Sequence, residues 1–400
     1  MSMSSLRAPR VRGPLLVAAL GAAALAACSN SDGGGSPVPA SVQLSPGSRS
    51  FTAVGQTQQF MATVRDAQGN TIAGVGVTWS STNDAIVSVD GNGLATAEAL
   101  GGAQVRATAG SVMGSASVTV GTTGAYAVDV RFLTTMTPTQ QQAFTNAAGR
   151  WQTLITGDVA DLFVSAPAGT CGANSPVINE TVDDIIIFAT IEAIDGPGSV
   201  LAQAGPCYIR VPGSLPIVGR MRFDSDDVPG LELGGQLQDV ILHEMGHVLG
   251  YGVNWASLGL LADTGTADPY FTGVQARQAF DSIGPSYAGG NEVPVEDQGG
   301  AGTRNAHWRE LVFNRELMTG FLDAGVANPL SVVSVASMAD LGYAVNRAAS
   351  DPFSCPGFPC PLARAPGAPA GPVIELRDDV LTGPIRMIDA RGRVTGIFWR

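Results

Sequence analysis

A chain of 400 residues exceeds the span over which one hydrophobic core extends, roughly 250 to 300 residues, so more than one domain is expected. Its formal charge of −12 at pH 7, with arginine as its only strongly basic residue, argues against nucleic acid and anionic membrane surfaces as partners, because like charge repels them. A hydrophobic share of 45% with 14% charged residues belongs to a globular chain.

Residues 1–28 have the layout of a targeting segment, with Arg7, Arg10 and Arg12 ahead of a short apolar run from Pro14 to Ala27. That run is too short to be a spanning helix. It ends in Leu25-Ala26-Ala27-Cys28, which resembles the lipobox of bacterial lipoproteins. The resemblance implies a lipid anchor on Cys28 and a mature protein in the cell envelope, on the outer membrane or the cell surface; an ordinary cleaved signal peptide is the alternative. Residues 29–39, with Gly33, Gly34, Gly35, Pro37 and Pro39, read as a flexible tether.

Residues 40–121 alternate in short runs: Val42 and Leu44; Phe60, Ala62 and Val64; Val75, Val77 and Trp79; Val87 and Val89; Val105 and Ala107; Ala116, Val118 and Val120. Turn signals at Asp66-Ala67-Gln68-Gly69-Asn70 and Asp90-Gly91-Asn92-Gly93 separate them, which predicts an antiparallel sandwich of roughly seven strands with Trp79 in its core. The stretch from Val77 to Ala97 and the closing Gly114-Ser115-Ala116-Ser117-Val118-Thr119-Val120 resemble the bacterial immunoglobulin-like domain. Such a module is a spacer or an adhesive domain.

From residue 122 the texture changes. Tyr126, Val128, Val130 and Phe132 alternate as a strand. Thr137 and Pro138 then supply a cap and a first helical residue, with Phe144, Ala148, Trp151 and Ile155 along one face and Gly157 as the stop. Asp184–Phe188 and Ile217–Phe223 read as buried strands, the second as an edge on which an extended peptide could pair. The acidic run Asp224-Ser225-Asp226-Asp227 lacks the spacing of a calcium loop and reads as a solvated turn.

The run Val240–Gly250 holds two of the chain's three histidines. Leu237, Val240, Ile241, Val248 and Leu249 recur at helical spacing, and Gly250 is a left-handed stop. On that helix His243 and His247 lie one turn apart on one face, where both imidazoles reach a single ion. Glu244 points beside the ion, placed to take a proton from the water it activates. A catalytic zinc takes three protein ligands and leaves a fourth position for water. Spacing leaves the third ligand open: His307, or one of Glu292, Glu296, Glu310 and Glu316, as in thermolysin-type enzymes.

The ordered set His-Glu-Met-Gly-His-Val-Leu-Gly, His307-Trp308, Glu316-Leu317-Met318-Thr319-Gly320 and Leu330–Asn346 resembles the leishmanolysin-like metallopeptidases, over roughly residues 125–350. These are metzincins with an insertion between the helix and the third histidine; the compact metzincin pattern would put that histidine at position 253, which here is Val253. The resemblance implies His307 as third ligand, one catalytic Zn2+, Met318 in a turn beneath the metal, Glu316 as a turn residue, and protein or peptide substrates. It makes Tyr251–Ala306 the insertion, for which no periodicity is evident, and Leu330–Tyr343 the final helix.

Residues 351–400 shift to Cys-Pro-Gly-Phe-Pro-Cys and a Pro/Ala-rich stretch, with strand-like Val373–Leu376 and Gly396–Trp399, and read as a small extension. Setting Cys28 aside, Cys171, Cys207, Cys355 and Cys360 make an even number in an exported chain; order favours Cys171 with Cys207 and Cys355 with Cys360 among three pairings. The expected architecture is an all-β immunoglobulin-like sandwich (40–121) followed by an α+β metzincin-type zinc peptidase domain (122–350). The expected function is a zinc metalloendopeptidase with Glu244 as general base. A surface adhesin with an inactive peptidase domain and a thermolysin-type zinc hydrolase are the alternatives.

Overall fold

A computed structural model of the chain describes residues 38–51, 53–99, 101–120, 124–284, 292–358, 360 and 373–399. The targeting segment with Cys28 and residues 29–37 of the tether lie outside the described residues.

The N-terminal part is all β. Strands β1 (Ser41–Ser45), β2 (Ser48–Phe51), β3 (Thr57–Gln59), β4 (Met61–Arg65), β5 (Thr78–Ser81), β6 (Val87–Val89), β7 (Leu94–Ala97), β8 (Gly101–Ala109) and β9 (Val112–Val120) form small sheets in the orders β1-β4, β2-β9-β8-β5 and β3-β7-β6. Nine strands form where roughly seven were expected; one of the extra breaks falls at Pro46, which has no N–H to donate, between β1 and β2. Leu44, Phe51, Phe60, Val87, Val105 and Val118 fill the core, and Trp79 packs partly buried against it. The indole lies over Gly93, where a Cβ would come within 2.6 Å of the ring. Both acidic turn signals fold as Asx turns: Asp66 accepts the N–H groups of Gln68 and Asn70, and Asp90 those of Asn92 and Leu94.

The second part is built on a six-stranded mixed sheet. Its elements begin with β10 (Val128–Phe132), α1 (Pro138–Leu154), β11 (Leu162–Ala166), β12 (Ile178–Val182), β13 (Ile185–Glu192), β14 (Ala202–Val211), β15 (Pro216–Asp224), α2 (Val228–Gly234) and α3 (Leu237–Val248). Thr137 and Gln140 form a reciprocal capping box at the start of α1. Helices α1 and α3 pack together through Trp151, whose indole N–H donates to Leu242 O at 3.0 Å. The sandwich sits on α1: the Ser115 hydroxyl donates to Gln141 Oε1 at 2.8 Å, and Gly102 leaves room for the Thr145 side chain.

After α3 come β16 (Leu261–Ala262), β17 (Tyr270–Phe271), α4 (Val274–Ile283), β18 (Val293–Pro294), α5 (Glu310–Phe313), β19 (Phe321–Asp323) and α6 (Val332–Leu341). Ser331 caps α6 through the N–H groups of Val333 and Ser334. The insertion therefore contains a regular helix, α4, with Ala276, Ala279, Phe280 and Ile283 on its buried face.

Two expectations are corrected by the sheet order β10-β13-β15-β14, continued by β21 (Pro384–Asp389) and β22 (Val394–Trp399). Strand β15 is interior, parallel to β13 and antiparallel to β14, so it offers no free edge to a peptide. Its buried Ile217, Val218, Met221 and Phe223 take in both faces, as an interior strand requires. The tail is not a separate extension either. Strand β20 (Val373–Glu375) pairs with β19, β21 runs parallel to β14, and β22 closes the sheet against β21. Cys171 is bonded to Cys207 on β14, and Cys355 to Cys360.

Candidate metal centre

Helix α3 is amphipathic with two buried sides: Val240, Ile241, Met245 and Val248 face the core, and His243, Glu244 and His247 face inward beneath the insertion. The helix ends as its pattern expects, with Gly250 at φ +100° and its N–H bonded to His247 O. The third histidine arrives on a loop held by buried polar groups. The Glu296 carboxylate accepts the N–H groups of Asp297, Gln298 and Glu310, and the Glu296 N–H donates to His307 O. Arg309 reaches across to the carbonyls of Val295 and Pro269 and to Asp268, tying the loop to β17 and β18.

The three imidazoles meet. Their Nε2 atoms lie 3.1 Å apart for His243 and His307, and 3.0 Å for each of the other two pairs. Each Nδ1 faces a carbonyl oxygen, Leu317 at 2.7 Å for His243, Tyr251 at 3.0 Å for His247 and Thr303 at 2.8 Å for His307. A carbonyl only accepts, so the ring protons sit on Nδ1 and the Nε2 lone pairs point at one another. Burial pushes the His243 imidazole below its usual range and that of His247 down to about 4, which keeps these rings neutral.

A fourth acceptor joins them. Asp379 Oδ2 lies 2.9 Å from Nε2 of His307, 3.2 Å from that of His243 and 3.6 Å from that of His247. Four converging lone-pair donors with no proton between them repel unless a cation stands at their centre. Ligands about 2.0 to 2.1 Å from a common tetrahedral zinc would be separated by about 3.3 to 3.4 Å. The observed separations therefore fit such an ion, and the imidazole and carboxylate donors suit it.

Glu244 is fully buried beside the cluster, and neither carboxylate oxygen has a hydrogen-bond partner among the described residues. Burial, with the Asp379 charge added to it, raises its carboxyl well above the usual range. Met318 lies under the helix: a Cβ on Gly246, between the two helical histidines, would come within 2.8 Å of the Met318 methyl. The turn that carries Met318 is fixed by Glu316, whose carboxylate accepts the N–H groups of Met318 and Ser331 and the hydroxyl of Ser334.

Among the described residues the glutamates considered as a third ligand stand outside the cluster, which consists of His243, His247, His307 and Asp379. Glu296 and Glu316 are spent on backbone N–H groups. The acidic run after β15 forms a turn with Ser225 and Asp226 exposed, while Asp224 is buried and accepts the N–H groups of Ile194, Asp195, Gly196 and Asp226. Asp379 is the residue that sequence reasoning missed. It sits in Arg-Asp-Asp-Val, a string with no ligand spacing, and only a sheet register brings it to the centre.

Comparison with known proteins agrees with this division. Residues 171–351 match the leishmanolysin family model of metal-type peptidases, and residues 40–120 match the bacterial Ig-like domain, group 2. No curated relative matches the chain. Among solved structures, domains 4 and 5 of the S-layer protein SbsC align at 21% identity and a TM-score of 0.20, over 21% of this chain and 53% of that one. The Yersinia pseudotuberculosis adhesin InvE aligns at 20% identity and a TM-score of 0.14, over 20% of this chain and 25% of that one. The chain thus spans about half or less of these structures. Residues 171–351, which contain the buried cluster His243, His247 and His307, are thus similar to a leishmanolysin peptidase domain, and residues 40–120 ahead of them to a bacterial Ig-like domain.

Proposed function

We propose that the chain is an exported, zinc-dependent endopeptidase of the cell envelope, with His243, His247 and His307 as the metal ligands and Glu244 as general base. The observation that carries this reading is the convergence of three Nε2 atoms within 3.0–3.1 Å, each ring oriented by its own carbonyl. A zinc ion held there supplies Lewis acidity, bringing the pKa of a water to about 7 and polarising the scissile carbonyl.

The chain's own residues do the rest. Leu317, Tyr251 and Thr303 carbonyls fix the ring orientations and raise the basicity of the nitrogens facing the centre. Glu244 takes the proton of the attacking water on a carboxylate oxygen and passes it to the leaving amine. Its burial raises its basicity toward that task, while a nearby cation would draw its carboxyl back down. Met318 touches no reacting atom; it packs against Gly246 and holds the helix at its height above the turn. The two disulfides suit an oxidising compartment outside the cytoplasm, in keeping with the targeting segment and an anchor on Cys28.

The test joins metal content to cleavage of casein. Glu244→Gln is expected to keep its zinc and to lose about 100-fold or more in rate, the range of a lost general base. His307→Ala is expected to hold zinc more weakly than wild type, whereas Glu310→Ala holds it as wild type does. Equal cleavage by wild type and Glu244→Gln would overturn the mechanism, and unchanged zinc affinity in His307→Ala would overturn the ligand set.

A further inference from the structure

We propose that Asp379 is a fourth protein ligand of the metal centre and that residues 376–381 form a latch that closes the centre in the full chain. The inference rests on the zinc reading above and goes beyond it, since a hydrolytic centre must leave one position to water. Asp379 Oδ2 lies 2.9, 3.2 and 3.6 Å from the three Nε2 atoms, which are 3.0–3.1 Å from one another, so it stands at the fourth corner of a tetrahedron. The side chain is 1% exposed, and among the described residues its other oxygen has no hydrogen-bond partner. A carboxylate so buried is tolerated only opposite positive charge, which the centre provides once it holds an ion.

The backbone around Asp379 shows how the carboxylate is delivered. Leu376 N–H donates to Gly320 O, and Asp378 N–H donates to the Thr303 hydroxyl, beside the carbonyl that orients His307. Ala204 N–H then donates to Asp379 O at 2.7 Å, and Leu381 N–H to Ala204 O at 2.9 Å. Val380 and β21 thereby run parallel to β14 and cover its outer edge. That edge is the one beside the centre where an extended peptide could add main-chain hydrogen bonds. The latch thus takes both positions a substrate needs, the coordination site and the sheet edge.

Its hold is local. Leu376 anchors the start of the segment in the main core, whereas Val380 and Ile385 beyond Asp379 pack with Ile209, Val253 and Ala306 in a small separate cluster, so the part from Arg377 to Leu381 can lift about Leu376 without opening the domain. Opening exchanges one carboxylate oxygen for one water and breaks no covalent bond.

The experiment uses the cobalt(II)-loaded full chain and follows its visible absorption while acetohydroxamate is added. Asp379→Ala and Asp379→Asn are expected to bind the hydroxamate at about tenfold or more lower concentration than wild type, the penalty for a site that is mostly closed. Leu381→Pro, which removes a latch hydrogen bond and leaves the carboxylate in place, is expected to move in the same direction. Casein cleavage is expected to rise by a similar factor in Asp379→Ala and to vanish again when Glu244→Gln is added. One cobalt per chain with coinciding hydroxamate curves for all four proteins would overturn the latch alone. Failure of wild type and variants alike to take up cobalt would overturn the zinc reading, and the latch with it.

Discussion

Charge at single buried carboxylates decides much of this molecule's behaviour. Glu310 begins α5 three residues after His307, and its Oε2 is buried without a partner. Burial pushes its carboxyl from the ordinary 4.5 up to about 8, with the Thr319 hydroxyl opposing the shift. The folded state therefore binds this proton more tightly than the unfolded chain. Its contribution to stability is whole below the ordinary glutamate range and is lost as pH rises toward about 8. Measured by urea unfolding, wild type should lose up to about 1.4 kcal/mol per pH unit relative to Glu310→Gln within that window. Parallel pH profiles would contradict the assignment. The meeting of His243 and His247 with Glu244 beside them was legible from their spacing, because one turn on a helix has a single geometric outcome. Asp379 was not, since its position depends on strand pairing over 136 residues of separation from His243.

Elements that carry their own punctuation were legible. The cap at Thr137 and the stop at Gly250 are local chemistry, and helices α1 and α3 fall where these residues put them; α6 lies within the expected Leu330–Tyr343, but its cap at Ser331 was not foreseen. Helix α4 was missed although Ala276, Ala279, Phe280 and Ile283 lie at helical spacing; two alanines give a weak apolar signal over so few turns. The interior place of β15 was missed for another reason, because its neighbour β14 is antiparallel and arrives from a hairpin that no pattern in β15 announces. At this scale the turn under the histidine cluster is the sensitive part. Glu316→Ala would strand the Ser331 and Met318 N–H groups and the Ser334 hydroxyl in the interior, and is expected to cost about 2 to 5 kcal/mol by denaturant unfolding. Gly246→Ala would force a methyl against Met318 and the Trp151 ring, an overpacking cost of about 1 to 3 kcal/mol that a melting curve would register. No loss in either variant would mean that the turn and helix do not depend on these contacts.

Across the whole molecule, the β-sandwich was legible in alternation and turn spacing and the peptidase domain in its histidine motif and the resemblance that motif set carries, and the family matches follow the same division at residues 40–120 and 171–351. The tail was the part that local reading could not place. Pairing of β20 with β19 and of β21 with β14 returns residues 373–399 to the domain, so the last strands of the sheet come from the far end of the chain. The same return carries Asp379 to the histidines, which joins the closing of the sheet to the closing of the metal centre. X-ray absorption at the zinc edge of the purified full chain examines that centre most directly. Three imidazole nitrogens and one oxygen, all about 2.0 to 2.1 Å from a single zinc, are expected; fewer than three imidazoles in that shell would contradict the three-histidine site.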